Sequence, residues 1–467
     1  METRQAGRLS FGEENFGTAQ LGDRRRTRRL VETADRMVRH PGGTLPDKLP
    51  WPAALKGLYR LVDPQAVTHA AVLKPHRELT LERMRVHDGV VLTIHDTTEL
   101  DYTGKKFLQT IGQIGNGSRR GYLCHNTLAV DARSREVIGL ANQILFCRPE
   151  VCDSESRRER RERATRESRL WKRGSEAIGP APPGKRWVDV CDRGADLFEY
   201  LDHKHLHQQS YLVRSKHNRW VFVERDGQRV RCKLHDIARE LPELGRKEVD
   251  VRARDGRPRR TVQVRVAAGA VSLIPPKQKR GKHRDDPLST WVVHVREIDP
   301  PAGVEPVEWI LLTNVPATSF KEACERIDWY RCRWIIEEFH KAQKTGCGIE
   351  LPQFTNEERL DPVIALLSVV ALSLLRLRSA SRQPDAAVRP ATQVVSAMHV
   401  AVLAGWRFGT AATDLTVHEF FYALARLGGH QNRKHDHPPG WLVLWRGWMK
   451  LQSMVDGAAA MGVTKCG

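Results

Sequence analysis

The sequence predicts an α/β protein: a mixed region of strands and helices, interrupted by a second, β-rich block, set between helical segments at both ends. Three patterns carry this reading. Apolar residues recur near the helical 3.6-residue spacing close to the N-terminus, and the chain returns to helix from about residue 320. Two short β-branched runs lead into Asp96 and Asp192. Between about residues 218 and 308, valines alternate with polar residues at the strand period. The divisions that follow are residues 1–70, residues 71–375 with the β block inside them, and residues 376–467.

In chain order, GDRRRTRRLVETADRMVRHPGG reads as a helix, with Leu30, Val31, Ala34 and Val38 at helical spacing and Gly42-Gly43 as its stop. GVVLTIHDTTEL is a strand ending at Asp96, and NTLAVDARSREVIGLANQILF is two strands around a polar turn. SRRERRERATRESRLWKRG is a charged helical segment closed by the breaker GPAPPGK. RWVDVCDRGADLFEYL repeats the earlier logic: Trp187 to Cys191 form a strand that leads into Asp192 and a helix, and YLVRSK is the next strand. In the β block, Asp226-Gly227 and Asp255-Gly256 sit where hairpin turns belong, between runs such as EVDVRAR and TVQVRV. Arg252, Arg254 and Arg265 alternate there with valines, which gives one face to a core and a basic face outward, and the loop PPKQKRGKHR adds positive charge. WILLTN is followed by helix, largely to the end.

A chain of 467 residues has room for about two to four domains, and 40% hydrophobic with 28% charged residues describes a folded globular protein. Its longest apolar run, residues 363–375, is far shorter than the roughly 20 residues a membrane span needs and reads as a buried helix. METRQAGRLS lacks the apolar core of a secretory signal, so the expectation is a cytoplasmic protein with no membrane partner. The net charge of +20 and isoelectric point near 9.8 attract polyanions, which makes nucleic acid the leading partner. Arg24, Arg25, Arg26, Arg28 and Arg29, five arginines in six residues, point to phosphate contact at the N-terminal helix. The nine cysteines form no C-x2-C pair and indicate neither a zinc ribbon nor a disulfide framework, and His430, His435 and His437 read as polar loop residues.

Asp96 and Asp192 each follow a hydrophobic strand, where open α/β sheets gather catalytic groups. An aspartate in that place is more often a turn former, so a third carboxylate has to decide. YRCRWIIEEFHKAQK offers one: on a continuous helix Tyr330, Arg333, Glu337 and Lys344 share a narrow face, with Ile335 and Phe339 opposite. Ordinary ion pairing four residues apart explains the charges on that face but not the tyrosine or the lone carboxylate. Phosphodiester cleavage explains both. It needs two divalent cations about 3.5–4 Å apart, held by several carboxylates, with basic groups on the phosphates. Asp96, Asp192 and Glu337 are the expected ligands, Mg²⁺ the expected ion and Mn²⁺ its substitute.

With these residues assembled, the chain resembles the bacterial cut-and-paste DDE transposases of the IS-four family. The match is Y-x2-R-x3-E-x6-K, here Tyr330, Arg333, Glu337 and Lys344, followed by TGCGIE; HDTTEL and CDRGADLFEYL match the two aspartate segments. It extends from GDRRRTRRL through YLVRSKH to LARLGG and GWLVLWRGWMKLQSMVDG, with ASRQPDAAVRPATQ and GHQNRKHDHPP departing from the pattern. The resemblance implies an RNase H-like, retroviral-integrase-like core with a β insertion, an N-terminal domain that binds DNA ends and a C-terminal dimerisation region. It also implies nicking of each element end, hairpin formation, reopening by water and insertion into target DNA by a homodimer holding two terminal inverted repeats. Asp96, Asp192 and Glu337 then hold metal, and Tyr330, Arg333 and Lys344 contact terminal phosphates. Trp309 stacks on a flipped terminal base, where an isolated tryptophan in a strand reads as core. Arg214, Lys216 and Lys341 are further DNA contacts, and Arg25, Arg26 and Arg29 belong to end recognition. Trp441, Trp445 and Trp448 read individually as core. The alternatives are an RNase H-like nuclease without strand transfer and a DNA-binding derivative or inhibitor.

Overall fold

Parallel and antiparallel strands meet in a single sheet in the computed structural model, which describes residues 9–149, 156, 159, 163, 166–251, 260–277, 283–381, 383–433, 436 and 438–462. Its strands are β1 (Val90–Asp101), β2 (Gly112–Gln113), β3 (Arg120–Asp131), β4 (Val137–Phe146), β5 (Arg186–Cys191), β6 (Ser210–Arg214), β7 (Trp220–Arg225), β8 (Gln228–Lys233), β9 (Glu243–Val251), β10 (Arg260–Leu273), β11 (Leu288–Glu297) and β12 (Glu308–Thr313). β1, β3 and β4 form an antiparallel meander, and β5 and β6 continue the sheet on the other side of β1, parallel to it. Beyond β6 the order is β12, β11, β10, β7, β8, with β9 also on β10.

The central strands are buried on both faces, one of them apolar and the other carrying the buried polar side chains of Thr93, His95 and Asp189. Leu92, Ile94, Val188, Val190 and Leu212 are fully buried. The helix Glu357–Ala380 packs on β4 and on the helix His69–Val86, and contains the buried run of residues 363–375. No helix among the described residues is long and apolar enough to cross a membrane. In the β block, Asp226 and Gly227 both have positive φ (50° and 74°), the two-residue turn whose twist suits a hairpin, and join β7 to β8. On β10, Val262, Val264 and Val266 point into the core, while Arg265 reaches the Leu241 carbonyl.

At the N-terminus the helices are Phe11–Phe16, Arg24–Arg39, Leu45–Lys48 and Pro52–Leu61. Ser10 and Glu13 form a reciprocal capping box, and Asp23 caps the second helix. The buried stripe of that helix is Leu30, Thr33, Ala34 and Met37, with Val31 and Val38 at its margin, and it ends at Arg39 rather than at the glycines. At the C-terminus the helices Ala397–Phe408, Val417–Leu427 and Trp441–Ala460 enclose a core of their own. Gly428 and Gly447 let two of them cross closely: a Cβ on Gly447 would stand 2.0 Å from the Leu424 carbonyl oxygen. Trp441 and Trp445 are buried in the main core and Trp448 stacks on His399. The cysteines among the described residues are free thiols. Arg252, Arg254, Asp255-Gly256, His435, His437, most of SRRERRERATRE and the centre of PPKQKRGKHR lie outside the described residues.

Candidate active site

Pairing of β1 with β5 ends at His95 opposite Cys191, so Asp96 and Asp192, each one residue further, stand at the same level of adjacent parallel strands. Asp96 does not end its strand, as the sequence reading had it. β1 runs on to Asp101 because β3 continues to pair with it, and Asp96 is the first residue with no β5 partner. Asp192 begins a short turn, its Oδ1 accepting the Gly194 N–H at 2.8 Å.

The continuous helix expected over residues 330–344 is broken. One helix, Phe320–Arg331, ends before Arg333, and a second, Trp334–Lys341, passes into a wider turn, Ala342–Gly346. The N–H groups of Cys332, Arg333, Ile335 and Ile336 each donate to the third preceding carbonyl, which tightens the chain. A wheel drawn at 100° per residue therefore fails here, yet Glu337 still faces the aspartates. One Arg333 Nη donates to Asp96 Oδ2 at 3.2 Å and the other to Glu337 Oε1 at 2.6 Å. Burial, then the negative charge of Asp192, pushes the Asp96 carboxyl up to about 7 although Arg333 is beside it.

Tyr330 is buried, edge-on to Trp309 with ring centroids 5.5 Å apart. Burial raises its phenol above the ordinary value, so it remains a hydrogen-bond donor, and Arg214 lies against it. Arg214 is held through its guanidinium by the Glu308 carbonyl at 2.9 Å. Trp309 is only partly buried.

Lys344 does not join this group. Its ammonium pairs with Glu350 at 3.6 Å, and Glu350 accepts the Asp101 N–H at the far end of β1. The wide turn carries it away from the face predicted by a regular helix. Lys341 and Lys216 are exposed. In the N-terminal helix Arg25 is exposed and pairs with Asp23 at 2.9 Å, Arg26 donates to the Leu21 carbonyl at 2.8 Å, and Arg29 reaches the Gly57 carbonyl at 3.5 Å. Three arginines in the first turn of a helix reinforce the positive potential of its N-terminal end, an arrangement that favours phosphate.

Asp196 was not singled out by the sequence reading. It is 1% exposed and accepts the N–H groups of Lys216 (2.6 Å) and His217 (2.9 Å) while pairing with Arg219. It thus ties the turn after Asp192 to the loop after β6. The signal was present in CDRGAD, a second aspartate four residues on, and was absorbed into the motif. Asp196→Ala leaves two amides without their partner and Arg219 with only the residue-196 carbonyl, and is expected to destabilise the fold by about 3 kcal/mol in chemical denaturation. A loss under about 1 kcal/mol would show that the loop holds itself.

Beneath the carboxylates, Asp189 accepts from Lys204 (2.7 Å), Tyr200 (2.7 Å) and Thr93 (2.6 Å). Burial opposes its charge, but Lys204 and His95 hold its carboxyl below the usual range. This buried network pins β5 to β1, and therefore Asp192 to Asp96.

Three carboxylates on three elements provide hard oxygen donors, and Asp96 is raised first by burial and then by the charge of Asp192. That donor set suits a divalent cation of the Mg²⁺ type. Among the described residues no three histidine, cysteine, aspartate or glutamate side chains already stand as a ligand group. Here Arg333 bridges Asp96 and Glu337 through one oxygen of each. Residues 9–67, which contain the four N-terminal helices and the arginine cluster, match the transposase DNA-binding family model.

Proposed function

We propose that the chain is a cut-and-paste DNA transposase of the DDE type, with Asp96, Asp192 and Glu337 as its catalytic carboxylates and Mg²⁺, or Mn²⁺ in its place, as its ion. The observation that carries this reading is the sharing of Arg333 between Asp96 and Glu337, with Asp192 close enough to raise Asp96. A meander of three strands followed by two parallel strands, in the order β4, β3, β1, β5, β6, supports an RNase H-like core. The IS-four resemblance and the matched N-terminal module support the same reading.

When bound, divalent cations activate the attacking hydroxyl and stabilise the leaving alkoxide. Asp96, Asp192 and Glu337 would hold them. Arg333, released from the two carboxylates, turns its donors to phosphate oxygens, which match its fork geometry. Tyr330 and Arg214 donate to the neighbouring phosphate, and the partly exposed ring of Trp309 receives a base turned out of the duplex so that the strand can bend into a hairpin. Two chains, each bound to one inverted repeat, bring the ends together.

Purified protein, Mg²⁺ and a duplex carrying the inverted repeats that flank its own gene should yield a nick, then a hairpin end, then joined product. Nicks that never become hairpins would favour a nuclease without strand transfer. Trp309→Ala should leave nicking intact and lower hairpin yield by about tenfold, from the worth of one stacked base. Equal hairpin yield from the variant would remove the stacking role.

A further inference from the structure

The hairpin β7–β8 lies at the rim of the sheet and carries a row of cations over aromatic rings. In its register Trp220 stands opposite Lys233, Phe222 opposite Arg231, and Glu224 opposite Arg229, so these six side chains share one face. On the other face Val221 and Val223 are buried in the core, while Val230, opposite Val223, is exposed. Arg231 lies 4.2 Å and Lys233 4.3 Å from the Trp220 ring centroid, and Arg229 lies 4.2 Å from that of Phe222. Trp220 is 41% exposed, and Arg229 and Arg231 are exposed. Such exposed contacts contribute only about 0.5–1 kcal/mol each, so stability alone does not account for three cations and two aromatic rings in one place.

The root of this hairpin is joined to the catalytic edge. Arg219, the residue before Trp220, pairs with Asp196 in the turn after Asp192. Lys216 and His217, in the loop that leads from Arg214, are bonded to the same carboxylate. At the hairpin's other end Leu234 donates its N–H to the Arg219 carbonyl at 2.9 Å. The basic face is thus braced to the loops that position Asp192 and Arg214.

We infer that the outer face of β7–β8, through Arg229, Arg231 and Lys233, is a docking surface for the phosphate backbone of the duplex being processed. Charge complementarity selects the occupant: closely spaced guanidinium and ammonium groups match phosphates along a strand, and ring stacking limits the side-chain freedom lost on contact. The inference rests on the transposase reading, because the same duplex must reach Arg214 and Asp192. In that arrangement the hairpin supplies affinity and register without touching the scissile bond.

The test is fluorescence anisotropy of the full-length protein with a labelled 40-base-pair duplex across a KCl series. The triple variant Arg229→Gln, Arg231→Gln, Lys233→Gln should bind about tenfold more weakly near 0.1 M salt, and the slope of log K against log salt should shrink by about 2 to 3, one phosphate contact each. Arg229→Lys with Arg231→Lys keeps the charge and should keep the slope, which separates loss of contact from loss of fold. An unchanged slope in the glutamine variant overturns the docking surface and leaves the carboxylate reading standing. Failure of the wild-type protein to bind any duplex overturns both. Binding of the wild type, but not the glutamine variant, to vesicles with 30% anionic lipid, with the DNA slope unchanged, would assign the face to a membrane and overturn the inference.

Discussion

Glu337→Ala is expected to bind duplex DNA about as tightly as the wild-type chain and to cleave it at least about 10³-fold more slowly. In the proposed function binding draws on the N-terminal segment that matches the DNA-binding family model and on basic residues distant from this carboxylate, whereas cleavage draws on the three converging acids. Loss of Glu337 removes one of the two carboxylates that Arg333 bridges and leaves the guanidinium on Asp96. Glu338 is the internal comparison: it is buried at 9% exposure, on another side of the same helix. Glu338→Gln should stay within about tenfold of wild type, a loss of about 1.4 kcal/mol or less. Rates of first-strand nicking in Mg²⁺ decide the matter, and nicking by Glu337→Ala at the wild-type rate would remove the proposed role.

Asp96→Asn is expected to be inactive and, without divalent ions, more stable than the wild-type chain. In the fold its carboxyl is pushed up to about 7, first by burial and then by Asp192, from an ordinary value of 3.8. A carboxyl raised in this way costs no stability below its unfolded value; the cost grows between that value and about 7 and is complete above. Relief of the cost, less the lost pairing with Arg333, should be worth about 1–3 kcal/mol at pH 8 and much less at pH 5. For a chain of this size that corresponds to a rise in Tm of a few degrees. Scanning calorimetry of both proteins at the two pH values, in chelator, gives the comparison, and a Tm difference independent of pH would refute the electrostatic account. Adding Mg²⁺ should raise the wild-type Tm more than that of the variant.

How far the site was legible depended on whether the chemistry was local. Asp96 and Asp192 were found because each follows a run that must be a strand, and strand register then does the rest: His95 opposite Cys191 sets the two acids level. Glu337 was singled out for a partly mistaken reason. The face drawn on a regular helix does not survive the tightened backbone at Cys332–Ile336 or the wide turn after Lys341, and that error displaced Lys344, whose partner is Glu350. Asp196 escaped notice because its partners, the amides of Lys216 and His217, are about twenty residues away and carry no side-chain signal. The turn at Asp226-Gly227 was readable because two successive positive φ angles demand such a pair. The sharing of β12 between β6 and β11 was not, since antiparallel partners far apart in sequence leave no local mark.

That shared strand makes the β block irreplaceable by a simple linker. β12 carries Trp309 and is hydrogen-bonded along one side to β6, which precedes the block, and along the other to β11, which belongs to it. Excision of the block would leave β12 a bare edge, open to pairing with another copy, and would free the indole from the register that sets it against Tyr330. In hydrogen exchange, the amides of β6, β12 and β11 should open together as one cooperative unit. The block is thus a splint for the tryptophan.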